Sequence, residues 1–206
     1  GIECHTTIED AKLMGCVDEA QVIATTYSPS LIDIISETNL VSNNLFAENL
    51  LKTIGKEITG VGSYDSARVA VNRFFESQGL SLVGYTQDDG SGLSRENYVS
   101  PRFFTKYYQM MMKSDTFAEY LESFPQPGED RGTLKRVLKD EPTEVKERIY
   151  AKSGSLSCVK CYAGYVISAQ GPIRFAILVN NGSTSKMQSQ IEGFMKELSV
   201  YAGKKK

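Results

Sequence analysis

The chain has 206 residues, of which 41% are hydrophobic and 23% are charged, and its formal net charge is -2. This length and composition are typical of one well-filled globular domain. The small negative charge argues against a nucleic-acid partner or an anionic membrane surface, and no apolar run is long enough to cross a bilayer.

The N-terminal part of the chain predicts one strand followed by two helices. The strand is expected over residues 20–26. Ser28 followed by proline is typical of an N-cap with proline in the first helical turn, so we expect a helix that reaches about Asn39. Ser42 precedes a second, strongly periodic helix, for which an N-cap is its simplest role, and Gly55 is expected to end that helix.

The middle of the chain alternates short helices with loops. We expect a third helix over residues 64–77, a short strand over residues 80–85 and a polar, glycine-rich loop over residues 88–97. A serine and a proline open a fourth helix over residues 100–112, whose methionine run we interpret as core filler. A fifth, short helix is expected over residues 115–124.

The C-terminal part of the chain predicts an antiparallel meander covered by a helix. One or two helical turns over residues 134–138 precede a strand that ends near Lys152. Strands over residues 162–168 and 173–179 are separated by a Gln-Gly-Pro turn signal, and an amphipathic helix covers residues 184–201. We therefore expect a mixed α/β (α+β) domain, with an antiparallel sheet of at least three strands flanked by helices.

The sequence Lys152-Ser153-Gly154 stands where the first strand of this meander would end. A lysine offers a point charge and a serine an adjustable donor, while a glycine lets a ligand lie flat along the strand edge. Taken alone, these residues also fit an exposed strand end with no binding role.

The cysteines do not predict a metal or cofactor site. The chain has Cys4, Cys16, Cys158 and Cys161, and its single histidine is His5. The C-x-x-C sequence at Cys158 lies in a predicted strand, where side chains three positions apart face opposite ways, which is poor geometry for chelation. A Cys4–Cys16 disulfide stays open, and one histidine makes a Ser-His-Asp triad improbable.

Three polar signals stand in a fixed order: Ser42-Asn43-Asn44, the loop that begins at Asp89, and Lys152-Ser153-Gly154. Ser-x-Asn and Lys-Ser/Thr-Gly in this order are two of the three signatures of the serine β-lactamase and DD-peptidase superfamily. The stretch from residue 28 to about residue 200 closely resembles the class C low-molecular-mass penicillin-binding proteins. These are D-alanyl-D-alanine carboxypeptidases and endopeptidases with a β-lactamase-like transpeptidase fold.

The resemblance implies roles for individual residues. Ser42 would relay a proton to the leaving D-Ala, and Asn44 would hold the substrate amide. Lys152 and Ser153 would bind the terminal carboxylate, and the backbone N–H of Ser155 would form half of an oxyanion hole.

The resemblance also implies partners and a location. The substrate would be peptidoglycan stem peptides that end in D-Ala-D-Ala, β-lactams would be inhibitors, and the location would be periplasmic or otherwise extracytoplasmic. Asp89 and Ser91 would be loop residues near the cleft.

The chain departs from the family pattern at its first motif, Ser-x-x-Lys, because no such sequence precedes Ser42. Two later Ser-x-x-Lys sequences begin at Ser157 and Ser183. Ser157 lies in a strand region and Ser183 at the start of a helix, and neither position suits the nucleophile. We therefore expect residues 28–203 to be the C-terminal part of the domain, incomplete at its N-terminus. Residues 1–27 would be the end of a preceding inserted segment.

An incomplete domain predicts an exposed sheet edge and an apolar patch, and with them self-association through that edge. Two other interpretations stay open at this point. The chain could be a non-catalytic peptidoglycan-recognition module, which needs no nucleophile, or a structural α/β domain with fortuitous motifs.

Overall fold

The computed structural model describes residues 24–204, and none of the helices in that range is long and apolar enough to cross a membrane. The helices and strands follow one another in a mixed order that ends with a three-stranded meander and a long helix. They are α1 (Leu31–Val41), α2 (Asn44–Thr59), α3 (Tyr64–Ser77), β1 (Tyr85–Thr86), β2 (Tyr98–Val99), α4 (Pro101–Met111), α5 (Phe117–Glu122), α6 (Thr143–Lys146), β3 (Ile149–Leu156), β4 (Val159–Ser168), β5 (Gly171–Asn180) and α7 (Thr184–Ala202).

The main sheet is antiparallel, with the strand order β3-β4-β5, and helices cover both of its faces. Helix α7 packs on one face against β4, where Ile149, Val166, Ile191 and Met195 are almost completely buried. Helix α4 packs on the other face against β5. The predicted architecture, an antiparallel sheet of three strands flanked by helices, is present.

The face of the sheet that α4 covers carries an aromatic core. Tyr165 is completely buried there, and its ring meets those of Tyr108 and Phe124, while its hydroxyl donates to the backbone carbonyl of Tyr108 at 3.0 Å. Because residues directly opposite on neighbouring strands share a face, Lys152 and Gly154 lie on this same face, farther along β3. The aromatic core therefore supports the sheet just below the Lys-Ser-Gly motif.

The junction of α1 and α2 differs from the prediction. Helix α1 begins two residues after the predicted start, because the side chain of Ser30 rather than that of Ser28 accepts the capping bond from the backbone N–H of Asp33. Ser42 is not the N-cap of α2. It ends α1 in a left-handed conformation with φ 58°, and the side chain of Asn43 caps α2 by accepting from the backbone N–H of Phe46.

Helix α2 continues beyond Gly55, where the sequence predicted its end. It ends at Thr59, and Gly60 follows with φ 83°. A Cβ atom on Gly55 would lie 2.8 Å from the backbone nitrogen of Ala67 in α3. Gly55 is therefore a close-packing residue between two helices and not a helix terminator.

Smaller differences lie in the loops. The expected strand over residues 80–85 is reduced to the ribbon strand that starts at Tyr85, and residues 134–138 form turns instead of a helix. Strand β4 begins at Val159, three residues earlier than expected, so Cys158 lies in the β3–β4 turn with φ 62° and not in a strand.

Two of the four cysteines lie in the part of the chain that the structure describes. Cys158 and Cys161 are both free thiols, and no metal-binding group of three ligands occurs within residues 24–204. Cys4, His5 and Cys16 lie outside the described residues. Most of the expected strand over residues 20–26 also lies outside them, and its described part, residues 24–26, has no regular structure.

Candidate active site

The structure brings Ser42 and Lys152 together from different layers of the fold. The Nζ atom of Lys152 donates a hydrogen bond to the Oγ atom of Ser42 at 2.9 Å, and a second to the backbone carbonyl of Ser153 at 2.8 Å. The left-handed backbone of Ser42 places its hydroxyl at the α1–α2 junction, facing the sheet. A serine with positive φ is uncommon, and such residues are often found at functional sites.

Burial makes the ammonium group of the lysine at this site easier to deprotonate. It lowers the pKa of Lys152 from the usual value of 10.5 to about 8. Loss of hydration disfavours the ammonium form. The two hydrogen-bond acceptors are a hydroxyl and a carbonyl, so neither supplies a full negative charge to the ammonium. An anion that entered the site would supply that charge.

The outer edge of β3 is divided into a covered and an open part. The backbone N–H of Ala151 points away from β4 and donates to the carbonyl of Pro125 at 3.1 Å. In an antiparallel pair, alternate residues direct their N–H groups to the same edge. The N–H groups of Ser153 and Ser155 therefore point to the outer edge as well, beyond the part that Pro125 covers.

Gly154 stands between these two serines and is exposed. A Cβ atom on Gly154 would find only the Cβ of Cys161 within 4 Å, at 3.8 Å. The protein therefore has room for a side chain at this position. The missing Cβ leaves space above the strand, on the face that carries Lys152.

Asn44 is the first residue of α2 and is exposed, two positions after Ser42. The capping role of Asn43 orients this first turn, because its side chain is bonded to the backbone of Phe46. The side chain of Asn44 is thus left at the surface of the same junction.

The loop over residues 88–97 is organised by two carboxylates. Asp89 accepts hydrogen bonds from the backbone N–H groups of Gly92 and Ser94 at 2.7 and 2.6 Å, and from the amide of Asn97 at 2.8 Å. Glu48 of α2 accepts from the backbone N–H groups of Gly90 and Ser91, both at 3.0 Å. Partial burial would raise the pKa values of both carboxyls, but these hydrogen bonds lower them overall.

Of the predicted loop residues, Ser91 therefore binds α2 one helical turn after Asn44, while Asp89 bonds within its own loop. Both residues line a surface cleft of about 730 Å³ with Glu48, Asp65 and Arg68. Their described hydrogen bonds go to the loop and to α2, not to Ser42 or Lys152. The sequence prediction assigned no role to Glu48. Its place one turn after Asn44 was the available signal, since residues four apart share a helix face.

A sequence model of the D-Ala-D-Ala carboxypeptidase 3 (S13) family matches residues 1–199. The chain belongs to this family. It is 31% identical over 190 residues to the D-alanyl-D-alanine carboxypeptidase of Actinomadura sp. (strain R39), a match that covers 90% of this chain and 35% of that protein. It is 28% identical over 174 residues to the D-alanyl-D-alanine carboxypeptidase DacB of Haemophilus influenzae, covering 84% of this chain and 36% of that protein. The chain thus spans about a third of the length of these curated S13 relatives.

Solved structures agree with the S13 assignment. The crystal structure of penicillin binding protein 4 (dacB) from Haemophilus influenzae has a TM-score of 0.77 and 25% sequence identity, covering 91% of this chain and 43% of that chain. A predatory endopeptidase from Bdellovibrio bacteriovorus shares the fold, with a TM-score of 0.67 at 21% identity, covering 84% of this chain and 44% of that one. The predicted family and fold class are therefore confirmed.

Proposed function

We propose that this S13 chain supplies the carboxylate-binding side of the active site of a serine D-Ala-D-Ala carboxypeptidase or endopeptidase, which acts on peptidoglycan peptides. One observation carries the proposal: the Nζ atom of Lys152 lies 2.9 Å from the Oγ atom of Ser42. The two residues come from the Ser-x-Asn and Lys-Ser-Gly sequences, and their separation along the chain is 110 positions. A fortuitous pair of motifs would have no reason to converge.

The terminal carboxylate of the peptide binds to Lys152 and Ser153. An ammonium group and a hydroxyl together can hold both oxygens of a carboxylate, and such charge-assisted hydrogen bonds are stronger than neutral ones. Neither of the two described hydrogen bonds of the partly buried Lys152 goes to a carboxylate. The carboxylate of the ligand therefore supplies the negative partner of its ammonium group. Gly154 lets the peptide lie against the strand edge.

The bond that breaks is the amide between the last two D-Ala residues. A serine hydroxyl attacks the carbonyl carbon, the amide C–N bond breaks, and water then hydrolyses the acyl-enzyme. The outward N–H of Ser155 stabilises the oxyanion as one of two donors. Ser42 passes the proton to the leaving amine, while Asn44 binds the peptide amide.

The attacking serine is proposed to belong to a Ser-x-x-Lys sequence outside these 206 residues. Ser157 lies in the β3–β4 turn, and Lys160 lies in β4, opposite Ser155. Ser183 occupies the N-cap position of α7, and its hydroxyl lies 3.3 Å from that of Ser185. Neither serine contacts Ser42 or Lys152 in any described hydrogen bond, which disfavours both as nucleophile.

The experiment is intact mass after exposure to a β-lactam, for this chain and for a version extended upstream. We expect a covalent adduct on the extended version alone. An adduct on this chain would contradict the proposal and would point to Ser157 or Ser183. No adduct on either protein, with both folded, would favour a non-catalytic peptidoglycan-recognition module instead.

We further propose an extracytoplasmic location, because peptidoglycan is found there. We also propose that the protein self-associates through the free edge of its sheet. Within residues 24–204, β5 pairs only with β4, so one edge of a 10-residue strand is available. Exposed apolar side chains on α2 and α3, such as Ile58 and Phe74, offer a second surface for association. Sedimentation at increasing concentration tests the association, and a monomer throughout would contradict it.

A further inference from the structure

Residues 123–133, the linking loop, run between α1 and β3 and are bonded to both. The Nδ2 atom of Asn39 in α1 donates to the Oγ atom of Ser123 at 2.9 Å. Two residues later, the carbonyl of Pro125 accepts from the backbone N–H of Ala151 in β3 at 3.1 Å. The linking loop therefore joins the helix that ends at Ser42 to the strand position just before Lys152.

The Asn39–Ser123 bond is partly buried, with its hydroxyl end in the interior. Ser123 is only 3% exposed, and its hydroxyl donates to the carbonyl of Tyr120 at 2.7 Å, so its oxygen is left to accept the amide of Asn39. Removal of Asn39 leaves the buried Ser123 oxygen without its donor, and removal of Ser123 leaves the partly buried Asn39 amide without its acceptor. Pro125 is also fully buried, and its ring fixes the backbone next to the attachment to β3.

The other end of the linking loop is also fastened to α1. The backbone N–H of Thr133 donates to the carbonyl of Leu40 at 3.0 Å. Gly132 has φ 101°, and a Cβ atom there would lie 2.7 Å from the Cδ1 atom of Leu40. Both ends of the loop thus hold the last turn of α1, which begins one helical turn before Ser42.

We propose that Asn39 and Ser123 are positioning residues that hold Ser42 against Lys152 through the linking loop. Few residues separate the two ends of this connection. Asn39 lies three residues before Ser42, and Ser123 lies two residues before Pro125. Ala151, which Pro125 binds, directly precedes Lys152. An exposed ion pair between Glu37 and Arg131 spans the same two elements, with the Nη2 atom 2.6 Å from the carboxylate. Exposed pairs of this kind contribute little, so the partly buried Asn39–Ser123 bond carries most of the constraint.

The importance of this contact for the peptidase reaction rests on the proposed function, but the contact can be tested without it. When α1 is released, the end of α1 no longer covers Lys152, and water reaches the ammonium group. We expect Asn39→Ala and Ser123→Ala each to raise the pKa of Lys152 by about one unit from its value near 8, as relief of burial requires. Side-chain NMR of Lys152 over a pH titration of the 206-residue chain measures it.

The matched control is Asn49→Ala. The amide of Asn49 donates to the carbonyl of Leu45 within α2 at 2.8 Å, so the variant loses an exposed asparagine hydrogen bond but no link to the loop. We expect Lys152 in this variant to titrate as in the wild type. The Asn39→Ala/Ser123→Ala double variant should shift the pKa of Lys152 no further than Ser123→Ala alone, because Asn39 acts through its bond to Ser123.

If Asn39→Ala does not fold, Asn39→Leu keeps nearly the same side-chain volume and removes the amide. An unchanged Lys152 titration in folded Asn39 and Ser123 variants would overturn the proposal, and so would additive shifts. The β-lactam mass experiment tests the proposed function, and the Lys152 titration tests the positioning role of Asn39 and Ser123. One proposal can therefore fail while the other holds. In the extended protein, slower β-lactam acylation by Ser123→Ala would add support.

Discussion

Lys152 donates a hydrogen bond to Ser42, and this contact joins the sheet to the α1–α2 junction. It unites a lysine with a lowered pKa and a serine with a left-handed backbone. Both features cost free energy in the folded state. A site that keeps them is suited to a ligand that repays the cost when it binds.

The first prediction concerns pH. Because burial lowers the pKa of Lys152 to about 8, the unfolded chain binds more protons than the folded chain between about pH 8 and 10. Stability therefore rises with pH in that window, by about 2 kcal/mol at most. Binding of a peptide carboxylate should fall over the same window, because the ammonium form is lost. Urea unfolding at successive pH values measures the first effect.

The matched control for this prediction is Lys152→Met, which keeps the apolar stem and should abolish the rise. Above pH 10 the direction reverses, since burial raises the pKa values of Tyr85 and Tyr165 well above their usual value. Unfolded tyrosines then lose protons that the folded ones retain. A wild-type stability that stayed flat from pH 8 to 9.5 would contradict the assignment for Lys152.

The second prediction concerns Gly154→Ala. The nearest atom to the new Cβ is 3.8 Å away, so we expect a stability within about 0.5 kcal/mol of wild type. In the protein extended upstream, the methyl group should obstruct a ligand on the strand edge and slow β-lactam acylation about tenfold or more. Acylation at the wild-type rate would show that no ligand passes over this position.

The third prediction concerns Glu48. Glu48→Ala removes two charge-assisted hydrogen bonds to the loop over residues 88–97, each of which is worth about 1.5–3 kcal/mol. Amide hydrogen exchange at Gly90 and Ser91 should become at least tenfold faster. Glu57→Ala, an exposed change on the same helix, should leave these amides protected.

The same loop should loosen in acid. Hydrogen bonds lower the pKa values of Glu48 and Asp89 against the effect of burial. The stabilisation they give is therefore present above the unfolded pKa values and is lost as the pH falls through the folded ones. Protection of Gly90 that persisted at pH 2 would contradict this account.

The fourth prediction compares two helical glycines. Gly55→Ala places a Cβ atom 2.8 Å from the backbone of Ala67, so we expect a loss of about 1–3 kcal/mol, despite the better helix propensity of alanine. Gly193→Ala in α7 meets nothing within 4 Å and should stabilise the protein by about 0.5–1 kcal/mol. Thermal unfolding of the two variants distinguishes close packing from propensity.

The sequence predicted best the elements whose pattern is local. The turn signal before Pro172, the Ser100 cap and the long periodic helices are all present, because each depends on residues only a few positions apart. The predicted end of α2 was wrong because Gly55 is required by its close contact with α3, and the sequence of α2 alone does not reveal that contact.

The sequence marks the residues of the candidate site by motif but does not reveal their geometry. Ser42, Asn44 and Lys152 stand out by motif, yet the left-handed turn at Ser42 and the cap at Asn43 depend on how two helices meet. The contributions of Glu48 and Ser123 arise from contacts between elements 43 and 84 positions apart, for which the sequence has no local pattern.

The bond from Ala151 to Pro125 closes the outer edge of β3 at one end. The remaining edge, from Ser153 to Leu156, measures roughly 10–13 Å, the length of three to four extended residues. A chain laid along it can extend past the hairpin turn but not past Pro125. We therefore expect this edge to pair with a short extended segment that ends near Ser153, because a segment that continued along the edge would have to displace the carbonyl of Pro125 from Ala151.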